Sequence, residues 1–340
     1  LTHSGLTIED VCQQIRDNCA NTHNTFKDDT RFEVAVGAVV SSMLKIEQSQ
    51  QLINYAWSAL RRARQLGQTC IFTEAHISQD SRRIRVEQEL RRSLMQNALA
   101  PDYQAIYAGK TKQLVGFEAL ARFRHPELGI VSPGEFIPIA EDSGLMRELG
   151  YAILDRTIET IQTWQHNALR AHPFYIAVNV SAIQLEDPYF ADNVLAKLEG
   201  AGVDPQRLKL EVTESTLVES FKSAALQLDK LRQNGVRIAL DDFGTGYSSL
   251  SYLRSLSIDT LKIDRSFVAK LHENEQKAAI IKTVYELATQ LKLSVVAEGV
   301  EEIEELNFLN NIGDMAIQGF LLARPMPAEQ AIAQVSQHHN

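Results

Sequence analysis

The 340-residue chain has no apolar run near the roughly 20 residues that span a bilayer. Its first residues, from Leu1 onward, carry neither a basic start nor a hydrophobic signal core. The segment is therefore expected to be soluble and cytoplasmic, while a membrane tether or a sensory domain upstream stays open. Basic residues are in deficit: 34 Lys and Arg face 43 Asp and Glu, a formal net charge of -9. A protein that coats long nucleic acid needs the opposite excess, so that class is excluded, whereas a small anionic ligand is not if metal ions mask local carboxylates. Cysteine is scarce. Cys12, Cys19 and Cys70 form no metal-ligand spacing and no even set for a disulfide framework, which fits reduced thiols used as core filler. Histidines such as His125, His166, His172 and His272 are scattered without a pair at metal spacing, and His338 with His339 lie in a tail.

What is present falls into three stretches. Residues 1–76 read as part of a small α/β unit. "TIEDVCQQIRDNC" is helical with Thr7 as N-cap, "RFEVAVGAVVSS" alternates Phe32, Val34 and Val36 as a strand, "LINYAWSALRRARQLGQ" is helical up to Gly67, and "TCIFTEA" is a short strand. Residues 77–99 read as a connecting helix whose Arg82, Arg83, Arg85, Arg91 and Arg92 alternate with Glu87 and Glu89, a solvated face laced with ion pairs.

Residues 100–340 follow a different rhythm. Eight β-rich runs, "DYQAIYAG", "LVGFEALARF", "FYIAVNVSAI", "LKLEVTES", "RIALDDFG", "TLKIDRSF", "LSVVAEGVE" and "MAIQGFLLARP", are mostly separated by helical segments such as "KAAIIKTVYELATQL". That order predicts an α/β fold, a (β/α)8 barrel of the triosephosphate isomerase type. Only "GKTKQ" separates the first two runs, too short for a helical crossover, so the opening strand is expected to run antiparallel to its neighbours.

In such barrels the chemistry stands at the C-terminal ends of the strands. Those ends carry Glu118, Asn179, Glu211, Asp241 with Asp242, Lys262 with Asp264, Glu298 and Gln318. Apart from Asp264, five of them are carboxylates, and like charges crowded into one mouth need cations or protons. Oxygen ligands with one amide and neither cysteine nor histidine favour Mg²⁺ or Mn²⁺ over zinc. A pair of such ions about 4 Å apart is a general device for phosphoester hydrolysis. Two readings of Lys262 stay open: a catalytic point charge, or a counter-ion for Asp242 or Glu298. Asp264 likewise reads as a site residue or as the cap of the turn after its strand.

The segments "EALAR" at Glu118, "NVS" at Asn179, "EVTES" at Glu211, "DDFGTGYSSL" at Asp241, "LKID" at Leu261, "AEGVE" at Ala297 and "QGF" at Gln318 together resemble the EAL family of cyclic di-GMP phosphodiesterases, over roughly Arg91 to Met326 and in family order. The resemblance implies hydrolysis of one phosphodiester bond of cyclic di-GMP to the linear dinucleotide 5'-pGpG with two Mg²⁺ or Mn²⁺ ions. It implies that Glu118, Asn179, Glu211 and Asp241 hold one ion, with Asp241, Asp242 and Glu298 toward the second. Lys262, with Glu298 and Glu118, would carry the catalysis, Lys262 contacting the water between the ions. Gln104, Leu120, Arg122, Asp264 and Gln318 would meet the substrate or its water, Arg122 at a phosphate. Glu214 would anchor the loop after Asp242, and Glu301 completes the "GVE" motif. A homodimer through the barrel near the 243–250 loop is a further implication. Two positions depart from the family's frequent choices: Ala105 stands where proline is common, and Phe320 where tyrosine is.

The front segment is similar to the C-terminal half of a GGDEF domain, on "RFEVAVGAVV" and "LINYAWSALRRARQLGQTCIF". No two glycines are adjacent anywhere in the chain, so the motif of the cyclase loop is absent and cyclase activity by these residues is excluded. Three functions are weighed: an active phosphodiesterase, a receptor that binds cyclic di-GMP without useful turnover, and an adaptor that uses the barrel as a protein-binding surface. The adaptor would have no need of the retained carboxylates.

Overall fold

The computed structural model describes residues 7–21, 34–41, 44, 49–166, 173–219, 221–244 and 257–337. The chain divides into two compact units, Leu1–Gln88 and Glu89–Asn340. Among the described residues, no helix is long and apolar enough to cross a membrane.

In the first unit, helix Ile8–Asn21 starts where expected. The Thr7 hydroxyl accepts the Asp10 amide at 3.1 Å, and the Asp10 carboxylate accepts the Thr7 amide at 2.8 Å. Strands Gly37–Val39 and Cys70–Phe72 pair in parallel, with helix Ser49–Leu66 between them in the chain. The strand expected over Phe32, Val34 and Val36 forms later, at residues 37–39, and Phe32 lies outside the described residues. A Cβ at Gly37 would overlap the backbone of Ala59 and Leu60, so the glycine lets this strand lie directly against the helix. Ala59, Ala63, Cys70 and Phe72 fill the core, and Cys12 and Cys70 are buried free thiols. The arginine-rich helix runs Glu74–Met95, with Arg92 reaching Glu89 at 3.0 Å.

The second unit is a closed eight-stranded barrel. Its strands are β1 (Asp102–Ala108), β2 (Leu114–Leu120), β3 (Tyr175–Asn179), β4 (Leu208–Thr213), β5 (Arg237–Phe243), β6 (Thr260–Ile263), β7 (Ser294–Ala297) and β8 (Ala316–Ile317). Each strand pairs with the next in sequence, and β8 closes onto β1. β1 is antiparallel to both β2 and β8, while every other pair is parallel. The short "GKTKQ" link permits nothing else, because a parallel return needs a crossover of a dozen or more residues. Strands covered on both faces read as nearly continuous apolar runs, as β3 does from Tyr175 to Val178.

Helices Met146–His166 and Glu275–Gln290 carry their buried residues on one face, for example Ile153, Thr157, Ile161 and Trp164 on the first. The Trp164 ring meets Phe117 of β2 edge-on at 4.8 Å and Tyr103 of β1 at 5.3 Å, pinning the helix to the two hairpin strands. Helix Glu275–Gln290 is started by Asn274, whose Oδ1 accepts the amides of Gln276 and Lys277 at 3.0 and 3.1 Å. Asn274→Ala is expected to cost about 1 kcal/mol, read as a Tm lowered by roughly 2–4 °C in a thermal melt, with the circular dichroism spectrum unchanged.

Candidate active site

Strand registry brings the polar strand ends together. Gln104 pairs with Glu118 across β1 and β2, and Asn179 with Glu211 across β3 and β4. Side chains two apart on a strand share a face, so Lys262 and Thr260 of β6 point the same way, as do Glu211 and Lys209 of β4.

At β5 the regular pleat breaks. Leu240 to Phe243 spans three steps against the two from Leu261 to Ile263 on β6, a bulge that accommodates one extra residue. Asp242 occupies it with φ 55°, a left-handed conformation uncommon for a residue with a side chain. Strict alternation would send the two aspartates to opposite faces; the bulge re-aims Asp242, and its amide donates to Asp241 Oδ1 at 2.9 Å. Strain of this kind, of order 1–3 kcal/mol, gathers where function needs a side chain in an unusual direction.

Lys262 lies at the centre, 1% exposed. Its Nζ stands 2.6 Å from Glu211 Oε2, 2.6 Å from Glu298 Oε1, 3.3 Å from Asp241 Oδ2 and 3.9 Å from Glu118 Oε2. The counter-ion expectation named Asp242 or Glu298; the geometry adds Glu211 and Asp241 as close partners. Burial alone would lower the lysine's pKa, but Glu118, Glu211, Glu298 and Asp241 together outweigh it and hold the group well above its usual value. The carboxylates feel the reverse. Burial pushes Glu211 well above the usual carboxylate range despite Lys262 beside it, and burial raises Glu298 to about 8. Asp242 is raised by burial, then by the charges of Asp241 and Asp264.

Glu118 is the junction of the remaining polar groups. Its Oε1 accepts Asn179 Nδ2 at 2.9 Å and its Oε2 accepts Gln318 Nε2 at 2.5 Å. Gln318 Nε2 also donates to Gln104 Oε1 at 3.2 Å, and Gln104 Nε2 donates to the Ala323 carbonyl at 2.9 Å. The glycine after Gln318 has a steric cause, since a Cβ at Gly319 would overlap the backbone of Val300.

Other expected site residues lie outside this cluster's contacts. Asp264 caps helix Arg265–Val268, accepting the Ser266 amide at 2.9 Å. Arg122 donates through Nε to Asp102 Oδ2 at 3.0 Å, and Arg124 Nη2 reaches both Asp102 oxygens at 2.7 Å. Asp102 was not anticipated as a partner, although a carboxylate opening an apolar strand is a visible signal. Leu120 closes β2, half-buried, and Glu301 pairs with Arg265 at 3.0 Å. Glu214 opens helix Glu214–Glu219 directly after β4. The loop it was expected to anchor, and the 243–250 dimer contact, lie outside the described residues from 245 onward.

With all five ionised, Glu118, Glu211, Asp241, Asp242 and Glu298 against the single ammonium of Lys262 leave four negative charges, which two divalent cations match, and burial raises Glu211 and Glu298 where no such cation answers them. Among the described residues, no three carboxylate, histidine or cysteine side chains converge closely enough to grip an ion directly, because the Lys262 ammonium occupies the point on which they converge. The donor set still fits hard cations. It consists of carboxylate oxygens with an amide, and the buried Gln318 Oε1 has no hydrogen-bond partner among the described residues.

The family model described as EAL domain matches residues 87–325. The chain is 36% identical over 312 residues to MucR of Pseudomonas aeruginosa, a bifunctional diguanylate cyclase/cyclic di-GMP phosphodiesterase, covering 90% of this chain and 45% of that protein. It therefore spans less than half the length of that relative. Among solved structures, the PaMucR phosphodiesterase in a c-di-GMP complex superposes with a TM-score of 0.69 at 40% identity, over 73% of this chain and 99% of that one. Klebsiella pneumoniae BlrP1, in a calcium/cy-diGMP complex, gives 0.60 at 30% identity, over 68% of this chain and 56% of that one.

Proposed function

Because the chain belongs to the EAL domain family, we propose that it hydrolyses one phosphodiester bond of cyclic di-GMP to 5'-pGpG at the C-terminal mouth of its barrel. The observation that carries the reading is the complete carboxylate set around Lys262, four of whose members stand within 4 Å of its Nζ. Glu118, Asn179, Glu211 and Asp241 would hold one Mg²⁺ or Mn²⁺, and Asp241, Asp242 and Glu298 a second. When bound, such ions supply a more acidic attacking water and Lewis-acid stabilisation of the phosphoester oxygens.

The protein's own groups do the rest. Lys262 keeps its positive charge in the buried mouth and can face the attacking water or the negative charge carried by the phosphoryl oxygens. Gln318 Oε1 is an open acceptor that orients a donor from water or substrate, while its amide nitrogen fixes the Glu118 carboxylate. Arg122 offers a guanidinium to a substrate phosphate, held in direction by Asp102. Leu120, at the end of β2, and Asp264, where β6 meets its helix, would border the substrate. Glu214 would steady the loop that follows Asp242, and Glu301 would do the same for the loop after β7 through its pair with Arg265.

The same reading takes residues 1–76 as the end of a GGDEF-like unit without cyclase chemistry, 77–99 as the connection and 100–340 as the phosphodiesterase. It includes a homodimer, which sedimentation velocity at micromolar protein tests. The activity test is chromatographic: purified chain with Mg²⁺ or Mn²⁺ should convert cyclic di-GMP to the linear dinucleotide, and EDTA should stop it. Tight binding with no product over hours would replace the enzyme by a receptor. Asp102→Asn, which frees Arg122 without touching the carboxylate cluster, is expected to raise KM roughly 3- to 10-fold and leave kcat nearly unchanged. Steady-state kinetics separates the two.

A further inference from the structure

At the barrel face opposite the carboxylate cluster, the N-terminal ends of the strands surround a cavity of about 470 Å³. Tyr175, Arg237, Thr260, Ser294 and Ala316 each open a strand there, and Lys209 is second in β4. Lys209 is only 4% exposed. Its Nζ donates to Thr260 Oγ1 at 3.0 Å and lies 3.7 Å from the centre of the Tyr175 ring. Thr260 Oγ1 is 2.8 Å from Ser294 Oγ, which passes its own proton to the Asp259 carbonyl at 3.1 Å. This hydroxyl chain takes one of the three ammonium protons, and the aromatic face answers part of the charge.

Arg237 brings a second cation, its guanidinium 5.6 Å from the same ring. Among the described residues, neither Lys209 nor Arg237 has a carboxylate within 4 Å. The carboxylates that act on the Lys209 charge from further off are Glu211, two residues on along β4, and Asp259, whose oxygens are engaged by Arg232 at 2.8 Å and by the Ile238 amide at 2.9 Å. A buried lysine is rare unless paired, and here a second cation, the half-buried Arg237, lines the same cavity. The rest of the wall is mostly apolar, with Val115, Val296 and Ala316 packed in the same cluster as Tyr175, and carries one further carboxylate, the exposed Asp314. Cations with no carboxylate in direct contact, beside an apolar wall, are the chemistry that recognises an anionic head on a hydrocarbon body.

We propose that this cavity binds a small organic anion, its carboxylate or phosphate-monoester head between Lys209 and Arg237 and its body against Val115, Val296 and Ala316. The site is separate from the carboxylate cluster and stands whether or not that cluster hydrolyses cyclic di-GMP.

The test uses the whole chain and two probes, benzoate for the carboxylate head and phenyl phosphate for the phosphate head, each followed by titration calorimetry at neutral pH. At least one is expected to bind, and the stronger of the two names the head group. Lys209→Met, which keeps the length and removes the charge, should weaken that probe about 10-fold or more, and Arg237→Gln roughly 3- to 10-fold. Amide shifts at Tyr175 and Thr260 should follow the same titration. Should Lys209→Met fail to fold, Arg237→Gln decides. Absence of binding by either probe, or binding that both variants leave undiminished, overturns the proposal.

Discussion

Glu118→Gln should reduce turnover of cyclic di-GMP by about 10²–10³-fold or more while the protein keeps its fold and melting temperature within a few degrees. The substitution keeps shape and removes one charge, and the position makes that loss severe. Both Glu118 oxygens accept from amides, Asn179 Nδ2 at 2.9 Å and Gln318 Nε2 at 2.5 Å. A glutamine can present only one acceptor, so one of these amides would face a donor. The residue also contributes to the charge surplus that would hold the first cation, so Mg²⁺ should raise the variant's Tm less than it raises the wild type's. Loss of turnover together with a diminished Mg²⁺ response is the expected pair of results. Full turnover in Glu118→Gln would remove the residue from both roles, and lost turnover with an unchanged Mg²⁺ response would remove it from metal binding alone.

The placement of Glu118 shows what could be read in advance. The barrel was legible because buried strands announce themselves as short apolar runs, and because the five residues between Ala108 and Leu114 leave only an antiparallel hairpin. The strand ends then gave the site by geometry, since every strand but β1 delivers its last polar residue to one mouth. Rotamers and partners were not legible. Nothing in "LKID" says that Lys262 turns toward four carboxylates at once, because those arrive from four other strands and the choice among them is made by distance. Asp264, read as a site residue or as the cap of the turn after its strand, is that cap, whereas Arg122, assigned by motif, is held by Asp102 some twenty residues earlier in the chain. The bulge at Asp242 is intermediate. Two adjacent like charges at the end of a strand required a break in the pleat, but only the register against β6 locates it.

Removing the central cation gives the other large effect, and it separates a structural from a chemical role for the lysine. In Lys262→Met, Glu211 and Glu298 lose the ammonium at 2.6 Å while Glu211 stays fully buried and Glu298 half-buried. Breaking a buried pair by deleting one partner costs about 3–5 kcal/mol, because the surviving charge has neither water nor counter-ion. Burial already raises both carboxyls, Glu298 to about 8, with Lys262 pulling the other way. The variant's metal-free form should therefore melt well below the wild type. Divalent cations change the expectation, since two of them can answer the charges that Lys262 left. Millimolar Mg²⁺ or Mn²⁺ should restore most of the lost Tm, and the metal-induced rise should exceed that of the wild type. Turnover should not return with the fold, because a charge that only balances carboxylates is replaceable by an ion, whereas one that faces the attacking water or the phosphoryl oxygens is not. Recovery of both stability and turnover with metal would leave Lys262 a counter-ion and nothing more. Recovery of stability alone, read by calorimetry and product chromatography on the same preparation, assigns it to the chemistry.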